Sequence, residues 1–487
     1  MKLCLVNHTF RYELEKLIRI FLPFEKIEFF EKEEISDSAA ITEIINSDIA
    51  VAKLYFKGNF YSKTINLDKS VSDFEKECEL KLATALYECF VEATGYQAEW
   101  GILTGVRPAK LFSRLCSSQG EELANEYFKN TLKVSEKKIS LCKEAISGEN
   151  LITSLSKPDS YSLYISIPFC PTRCSYCSFV SHSVASAKNL IPAYVEKLCE
   201  EIKITSAIAK KISLKLETIY IGGGTPTAIG AQELRKIMQT VAENFDIENV
   251  REYTVEAGRP DTVTAEKLQI IKDFGATRIS INPQTMNDGV LKEIGRCHSS
   301  ADTVNAFKLA REIGFDNINM DLIAGLPTDT KESFTDTVSK ILELDPESVT
   351  VHSLSIKRSS DMTRKGNLPE KEVGETASFM VDFAREKLSE AKIFPYYMNR
   401  QSKTVGNLEN VGYSKNGYEC LYNVYIMDET HTILACGASA VTKLREPNGQ
   451  YIDRIFNFKY PYEYIERFEE LILRKDGVIQ FYDKYSW

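Results

Sequence analysis

The sequence predicts an α/β fold centred on a partial (β/α)6 barrel, with an N-terminal α+β domain and a C-terminal α+β extension. From about residue 163, short runs rich in β-branched residues alternate with amphipathic stretches long enough for helices. Six such βα units in succession require a parallel sheet with right-handed crossovers. Because six units are too few to close comfortably as an eight-stranded barrel, we expect the barrel to stay open.

The spacing of apolar residues defines each element of this core, which we place at residues 160–365. Alternation and β-branched content indicate strands, and apolar residues at turn-like spacing indicate helices. The predicted strands are residues 163–167, 217–221, 252–256, 278–282, 317–323 and 349–354, and the predicted helices are residues 191–210, 231–244, 265–274, 301–313 and 331–344.

Residues 1–155 are predicted to form the separate N-terminal domain. Short apolar runs lie at residues 3–6 and 49–60, and apolar residues at helical spacing predict a helix over 73–93. The segment 100–111 is interrupted by glycine and cannot be one helix, although more helix follows it. A polar segment containing Lys-Pro-Asp-Ser is typical of a linker and ends this domain.

Residues 366–487 are predicted to form the C-terminal extension. A helical pattern covers residues 376–391 and is followed by segments rich in aromatic residues. Such a segment either extends the sheet or covers the barrel. The aromatic-rich segments predicted as strands are residues 396–400, 419–427 and 432–435.

Composition and charge exclude several classes of protein. Among the 487 residues, 43% are hydrophobic and 26% are charged, which is ordinary for a globular protein and not for a disordered one. The net charge of −9 argues against a general surface for nucleic acid. No apolar stretch approaches the length of a membrane span, and the first residues do not resemble a signal peptide. We therefore expect a cytoplasmic protein whose 12 cysteines are mostly reduced.

Three cysteines form the strongest motif in the chain. Cys170, Cys174 and Cys177 have C-x3-C-x2-C spacing on one short loop after a predicted strand. Three thiolates can hold a four-iron cluster and leave one iron open for a chelating ligand. The alternative is a structural zinc site in which His182 is the fourth ligand. The remaining cysteines are scattered and are most simply small buried hydrophobic residues.

Polar groups recur at the carboxyl ends of the predicted strands, where βα barrels place their active sites. The second strand runs into Gly222-Gly-Gly-Thr-Pro-Thr227, and the third ends at Glu256. The fourth runs into Asn282-Pro-Gln284, and the fifth contains Asp321. The glycine run lets backbone approach a ligand closely, but it lacks the Gly-Lys-Ser/Thr element of a phosphate loop. His298 and His352 are isolated, and we expect structural roles for them.

Together these motifs resemble the radical S-adenosylmethionine (SAM) superfamily. The segment Tyr164-Ile-Ser-Ile-Pro-Phe-Cys170, the glycine run and Asp321-Leu-Ile-Ala-Gly-Leu-Pro327 are similar to the oxygen-independent coproporphyrinogen III oxidase family over about residues 160–445. The segment from Gly101 to Lys110 resembles a longer subgroup called coproporphyrinogen dehydrogenase. The implied fold is the radical SAM core, with residues 366–487 covering the substrate.

The resemblance also implies cofactors and residue roles. Cys170, Cys174 and Cys177 would bind a [4Fe-4S] cluster, whose open iron would be chelated by the methionine end of SAM. Reduction of the cluster would cleave SAM to a 5′-deoxyadenosyl radical. The electron would come from a one-electron donor such as flavodoxin or ferredoxin. The SAM-contacting positions implied by the family are Tyr164, Tyr176, Gly223, Gly224, Thr225, Glu256, Gln284, Arg296 and Asp321.

The reaction implied by the resemblance belongs to haem biosynthesis. Two propionates of coproporphyrinogen III would be decarboxylated to give protoporphyrinogen IX. A substrate with four carboxylates needs local cations, for which Arg107, Lys110 and Arg400 are candidates, although structural ion pairs are the simpler explanation for each.

One position departs from the typical oxidase. Two residues after the third cluster cysteine, where the oxidase has a further cysteine, this chain has Phe179. In this respect the loop is more similar to the related haem chaperones. Two alternatives therefore remain open: a haem-binding chaperone, and a radical SAM enzyme that acts on another tetrapyrrole.

Overall fold

The computed structural model describes residues 1–23, 25–30, 38–179, 181–357, 360–362, 373–401 and 403–485. The chain forms two compact units. The first comprises Met1–Lys143 and Asn399–Glu409, and the second comprises Glu144–Met398 and Asn410–Trp487. The predicted boundary between residues 365 and 366 lies outside the described residues, and the three predicted domains stay a prediction.

The first unit is built on a mixed sheet with the strand order β2-β1-β3-β4-β5. β1 pairs in parallel with β2 and β3, while β3, β4 and β5 form antiparallel pairs. A helix begins at Phe74, where the Asp73 side chain accepts a hydrogen bond from the Lys76 N–H, and it packs on this sheet. The elements are β1 (Lys2–Val6), α1 (Arg11–Phe21), β2 (Glu28–Phe30), β3 (Ser38–Ile45), β4 (Ile49–Phe56), β5 (Asn59–Asn66), α2 (Phe74–Thr94), α3 (Pro108–Gln119) and α4 (Glu121–Glu126), followed by a π-helical turn over Tyr127–Thr131.

The segment 399–409 is fixed within the first unit by buried polar contacts. The Glu409 carboxylate accepts hydrogen bonds from Lys138 Nζ and from Trp100 Nε1, each at 2.7 Å. Arg400 is buried, and its guanidinium donates to the backbone carbonyls of Leu103, Gly105 and Asn407. These contacts favour the structural explanation for Arg400, because both terminal nitrogens of its guanidinium donate to backbone carbonyls.

The other two candidate cations lie at the start of α3. Arg107 is the N-cap residue of that helix, and Lys110 is exposed in its first turn. Their assignment to propionates stays a prediction.

The second unit contains the predicted barrel. Its six parallel strands lie in chain order, β6-β9-β10-β11-β12-β13, so each βα crossover moves one place along the sheet. The observed ranges match the predicted ones to within one or two residues at most strand and helix ends. After α5 (Glu136–Thr153), which spans both units, the core elements are β6 (Ser160–Ile167), β7 (Phe169–Cys170), β8 (His182–Ser183), α6 (Val184–Ala187), α7 (Ile191–Lys211), β9 (Lys215–Gly223), α8 (Ala231–Asn244), β10 (Glu252–Glu256), α9 (Ala265–Asp273), β11 (Arg278–Ser280), α10 (Asp288–Glu293), α11 (Ser300–Ile313), β12 (Ile318–Ala324), α12 (Lys331–Leu344) and β13 (Ser348–Ser353).

The C-terminal part of the chain extends this sheet at both edges. β15 pairs antiparallel with β13, and β14 follows it at that edge. At the other edge β16 pairs in parallel with β6, followed by β17 and β18. Over the described residues the sheet therefore has eleven strands. The added elements are α13 (Val373–Glu390), β14 (Phe394–Arg400), β15 (Glu409–Ser414), α14 (Leu421–Asp428), β16 (Thr432–Cys436), β17 (Val441–Arg445), β18 (Ile452–Phe456), α15 (Pro461–Glu466) and α16 (Phe468–Tyr482).

The prediction of a strand over residues 419–427 is wrong, because this segment forms helix α14. The Glu252 carboxylate lies at the helix N-terminus and accepts hydrogen bonds from the backbone N–H groups of Leu421 and Tyr422, at 2.7 and 3.4 Å. It thereby satisfies amides that a helix start leaves without partners, and its charge favours the helix dipole. Tyr422 and Tyr425, three residues apart, turn one buried face of the helix to the core.

Across the described residues, no helix combines the length and apolar character that crossing a bilayer requires.

Candidate functional site

The loop with the three clustered cysteines follows the first barrel strand. β7 pairs in parallel with β8 and closes the base of this loop. The Ser175 N–H donates to the carbonyl of Ile294 at 3.0 Å, and the Cys177 N–H donates to the carbonyl of Cys174 at 3.1 Å. These bonds hold the loop at the carboxyl end of the parallel sheet, where βα folds place their sites.

One cavity in the second unit gathers most of the predicted site residues. Tyr164, Gly223, Gln284 and Asp321 do not line it, although all four lie in the described chain. Its lining comprises the predicted residues Cys170, Cys174, Cys177, Tyr176, Gly224, Thr225, Glu256 and Arg296, together with Thr172, Ser181, Gly258, Arg259 and Asn282.

The glycine run lies against the cysteine loop at close range. A Cβ on Gly224 would lie 2.7 Å from the carbonyl oxygen of Phe169 and 3.0 Å from the Cys170 Sγ. The Thr225 hydroxyl lies 3.5 Å from the same sulfur. Gly223 has a φ of +107°, which residues other than glycine rarely adopt. The backbone here could not approach the loop so closely with larger residues.

Glu256 lies at the carboxyl end of β10 and reaches the same cavity. The Tyr220 hydroxyl donates to Glu256 Oε1 at 2.6 Å. Burial raises the pKa of Glu256 to about 7, the charge of Asp321 adds to this effect, and the Tyr220 hydrogen bond opposes it. A carboxyl with a pKa near neutrality beside a cavity is typical of a functional site.

Tyr164 belongs to an aromatic stack behind Glu256. Its ring centroid lies 6.3 Å from that of Tyr220 and 6.0 Å from that of Tyr422. Tyr220 joins this stack to Glu256 through its hydroxyl. Tyr164 therefore lies next to the glutamate's partner, outside the cavity lining.

Asp321 and Gln284 are joined to each other on the next strands. The Gln284 N–H donates to the Asp321 carbonyl at 2.9 Å. The Asp321 carboxylate accepts a hydrogen bond from Asn319 at 2.7 Å and lies 3.8 Å from His352 Nε2. Burial alone would raise the pKa of Asp321, but His352, Asn319 and Thr350 outweigh it, so the pKa is lowered. Asp321 is thus an ionised group in the barrel, near enough to influence Glu256.

Arg296 and Tyr176 form the side of the cavity facing the fourth strand. Arg296 Nη2 contacts the Tyr176 hydroxyl at 3.1 Å, and Nη1 donates to the Asn282 carbonyl at 3.1 Å. Among the described residues, Arg296 Nε and Asn282 Oδ1 are buried without a hydrogen-bond partner. Buried polar atoms of this kind require an explanation, and a bound ligand in the cavity would satisfy them.

Sequence reasoning missed Arg259 and Thr172, which also line the cavity. Arg259 Nη1 donates to the Thr172 hydroxyl at 2.9 Å and lies 3.9 Å from the Cys174 Sγ. The sequence gives only a weak signal for Arg259. It lies three residues after the end of β10 and is followed by Pro260 and Asp261.

Burial affects the ionisation of two of the three thiols. Burial raises the pKa of Cys170, and raises that of Cys177 to about 11. Without a metal, Cys170 and Cys177 are therefore protonated at neutral pH, and a metal that binds them as thiolates must displace the protons.

Comparisons with known proteins show which proteins this chain resembles. Residues 164–341 match the Radical SAM superfamily. The chain is 38% identical to the oxygen-independent coproporphyrinogen-III oxidase-like protein HemZ of Bacillus subtilis (strain 168), over 84% of this chain and 82% of that protein. It is 32% identical to the heme chaperone HemW of the same organism, over 67% of this chain and 87% of that protein.

The chain belongs to the oxygen-independent coproporphyrinogen III oxidase-like family of radical SAM proteins. A solved structure of coproporphyrinogen III oxidase from Escherichia coli shares the fold, with a TM-score of 0.50 and 21% identity over 66% of this chain and 72% of that one. Radical SAM proteins use a [4Fe-4S] cluster and SAM, and these are the cofactors of this family member.

The residues present fit these cofactors. Three thiols line one cavity, and a glycine leaves room beside the Cys170 sulfur. Arg296 and Asn282, which line the same cavity, each have a buried polar atom without a hydrogen-bond partner. A single-ion site fits less well, because no group of three or more His, Cys, Asp or Glu in the described chain could hold one metal ion. His182, the suggested fourth zinc ligand, packs edge-on against Tyr460 and Tyr462 and does not line the cavity.

Proposed function

We propose that this radical SAM protein is an oxidoreductase that decarboxylates two propionates of coproporphyrinogen III. The observation that supports a reaction of this class is the cavity that gathers three thiols, a glycine backbone, Glu256 and Arg296. Support for this substrate comes from the relative at 38% identity, which is named as an oxidase-like protein.

We assign the cluster to Cys170, Cys174 and Cys177. When bound, the reduced cluster and SAM supply one-electron chemistry that abstracts a hydrogen atom from the substrate. We assign Gly223, Gly224 and Thr225 to the amino-acid end of SAM, and this is supported by the closeness of Gly224 and Thr225 to the Cys170 sulfur. The further contacts that we assign to SAM are Tyr164, Tyr176, Glu256, Gln284, Arg296 and Asp321.

The chain's own groups prepare the cavity for a charged ligand. Glu256 provides a carboxylate that accepts hydrogen bonds from hydroxyl or ammonium groups, and the Tyr220 hydroxyl orients it. Arg296 presents its unpartnered Nε, and Asn282 its Oδ1. Burial of these groups strengthens their interaction with a ligand, because water competes less.

The proposed cofactors also bear on the electron donor and on the cellular compartment. We infer a one-electron donor of the flavodoxin or ferredoxin kind. All twelve cysteines are thiols, which agrees with a reducing compartment such as the cytoplasm.

A haem chaperone is the second candidate. Phe179, which replaces a cysteine of the typical oxidase, is 58% exposed beside the cysteine loop. An exposed aromatic ring is available to pack against a flat ligand. The relative at 32% identity is named a heme chaperone, and its match covers 87% of that protein.

Anaerobic incubation with coproporphyrinogen III, SAM and a reductant separates the two candidates. We expect mass spectrometry to show a product that has lost two CO2 units and four hydrogens, because each propionic acid group becomes a vinyl group. SAM should be cleaved in parallel, since one hydrogen atom of each propionate goes to the SAM-derived radical, and the electron released with each CO2 must pass to a one-electron acceptor in the assay. The C174S variant is the control and should give neither product. If SAM is consumed while the porphyrinogen is unchanged and haem binds tightly, the chaperone assignment replaces the oxidase.

Replacing Glu256 with alanine should weaken SAM binding by about 1–3 kcal/mol, the size of a lost charge-assisted hydrogen bond. Because the pKa of Glu256 is raised to about 7 by burial, SAM should bind wild-type protein more tightly as pH rises through neutrality and the carboxyl ionises. Anaerobic calorimetry on reconstituted protein measures both effects.

The E256Q variant should lose this pH dependence, because its side chain does not titrate. Glu266 is exposed on α9, so E266A should leave affinity unchanged. Equal SAM affinity in E256A and wild type would remove Glu256 from the SAM site.

A further inference from the structure

We propose that Arg259 is a positioning residue that raises the reduction potential of the cluster through the Cys174 sulfur. The proposal rests on the assignment of Cys174 as a cluster ligand. No motif of the chain marks Arg259, which follows β10 at the start of a short turn over Pro260–Thr262.

Arg259 is buried, and each of its guanidinium nitrogens has a partner. Its residue exposure is 3%. Nε and Nη2 donate to the two carboxylate oxygens of Asp261, each at 3.0 Å. Nη1 donates to the Thr172 hydroxyl at 2.9 Å and to the Thr172 carbonyl at 3.2 Å. A guanidinium bound on both sides in this way has one orientation.

That orientation directs the cation to the cysteine loop. Nη1 lies 3.9 Å from the Cys174 Sγ, within range of a hydrogen bond to sulfur. Thr172 is part of the same loop, so Arg259 joins the loop that holds the three cysteines to the turn after β10. The positive end of the Arg259–Asp261 pair therefore faces the sulfur, and the carboxylate lies on the far side.

The other charged groups around the pair leave this polarity in place. His298 Nδ1 lies 3.7 Å from the Asp261 carboxylate, and burial lowers the pKa of His298, which keeps the imidazole neutral. The two hydrogen bonds and the charge of Arg259 help to outweigh burial and lower the pKa of Asp261, so it is ionised. Arg296 is the second cation of the cavity and is engaged with Tyr176.

A donor and a positive charge beside a cluster sulfur favour the reduced cluster, which carries one more negative charge. Hydrogen bonds to cluster sulfurs and the local charge are among the factors that set iron–sulfur potentials. Arg259 thereby makes the cluster easier to reduce by a one-electron donor, without touching the iron.

The test is a redox titration of anaerobically reconstituted protein followed by electron paramagnetic resonance. The R259Q variant, with its charge removed, should have a more negative midpoint potential than wild type. We expect at least a tenfold change in the reduction equilibrium, which is ~59 mV for one electron. The R259K variant keeps the positive charge but lacks the planar guanidinium. Its midpoint potential should therefore lie between those of R259Q and wild type. R235Q, on the exposed face of α8, should leave the potential unchanged.

The D261A variant gives a shift of opposite sign. It removes the negative end of the pair and leaves the Thr172 contacts of Arg259, so the midpoint potential should become more positive. If R259Q loses its cluster, D261A alone decides the question. Wild-type potentials in cluster-containing R259Q or D261A would overturn the proposal. A C174S variant that keeps a full cluster would instead overturn the ligand assignment.

Discussion

Serine at any one of positions 170, 174 or 177 should abolish the brown iron–sulfur chromophore and SAM cleavage, if these three cysteines hold the cluster as we propose. Wild-type protein reconstituted without oxygen should bind about four irons per chain, because three thiolates with one open iron fit a four-iron cluster. The three sulfurs line one cavity, and the described part of the chain offers no further cysteine among the residues that line it. A serine hydroxyl ionises far less readily than a thiol, so a substituted site has only two strong ligands.

Cys297 is the matched control for this loss. It is exposed and lies 4.0 Å from the Thr172 hydroxyl, next to the cysteine loop but outside the cavity lining. The C297S variant should therefore keep its iron, its absorbance and its SAM cleavage. Loss of the cluster in C297S, or four irons in C174S, would contradict the assignment. Iron analysis and visible absorbance measure both outcomes.

The barrel could be predicted because its signal is local. Each strand is a short apolar run and each helix has a regular apolar face, so both are visible in windows of a few residues. The predicted helices at residues 231–244 and 331–344 have the observed bounds Ala231–Asn244 and Lys331–Leu344. The parallel order then follows from chain connectivity, because right-handed crossovers place each strand beside the one before it.

The C-terminal part was harder to predict because distant residues decide its structure. Helix α14 begins where the Glu252 carboxylate, about 170 positions earlier, accepts its first backbone N–H groups. The aromatic-rich sequence of residues 419–427 gives no indication of that partner. From the sequence Arg400 is a candidate ligand for carboxylates, whereas in the structure its Nη1 donates to carbonyls of a loop some 300 residues earlier.

The residues of the candidate site differ in the same way: some could be predicted from the local sequence, and others depend on distant neighbours. The cysteines and glycines were found because their residue types and spacing restrict the chemistry they can perform. Arg259 and Tyr220 were missed because each is a single common residue, whose role depends on a neighbour elsewhere in the fold. The sequence placed Asn282 at a strand end but did not mark it as a site residue. Their contribution is visible only from distances and from unpartnered buried atoms.

Replacing Lys475 with methionine should destabilise the second unit by about 3–5 kcal/mol, the cost of leaving a buried charge without its partner. Lys475 Nζ lies 2.9 Å from Glu201 Oε1, and the two side chains are 5% and 0% exposed. Burial alone would lower the pKa of Lys475, but Glu201 outweighs it and the pKa is raised, so the lysine is charged in the folded protein.

The effect should be large because Glu201 holds several elements together. Its carboxylate also accepts hydrogen bonds from the Gly437 N–H at 2.7 Å, the Tyr464 hydroxyl at 2.6 Å and the Asn457 amide at 2.8 Å. Lys475 donates in addition to the Ala435 carbonyl of β16. The pair thus fixes α16 and the C-terminal strands to α7, at the sheet edge next to β6, the strand that leads into the cysteine loop.

Urea unfolding of the full chain measures how much stability K475M loses, and two further variants show which interaction causes the loss. Lys340 and Asp336 form an exposed pair on α12, so K340M should cost less than about 1 kcal/mol. The double variant E201Q/K475M removes the unpaired carboxylate and should be more stable than K475M alone, because a neutral amide costs less to bury than a lone charge. If K475M unfolds at the same urea concentration as wild type, the buried pair does not stabilise the sheet edge. If the double variant is no more stable than K475M, the loss comes from packing and not from the stranded charge of Glu201.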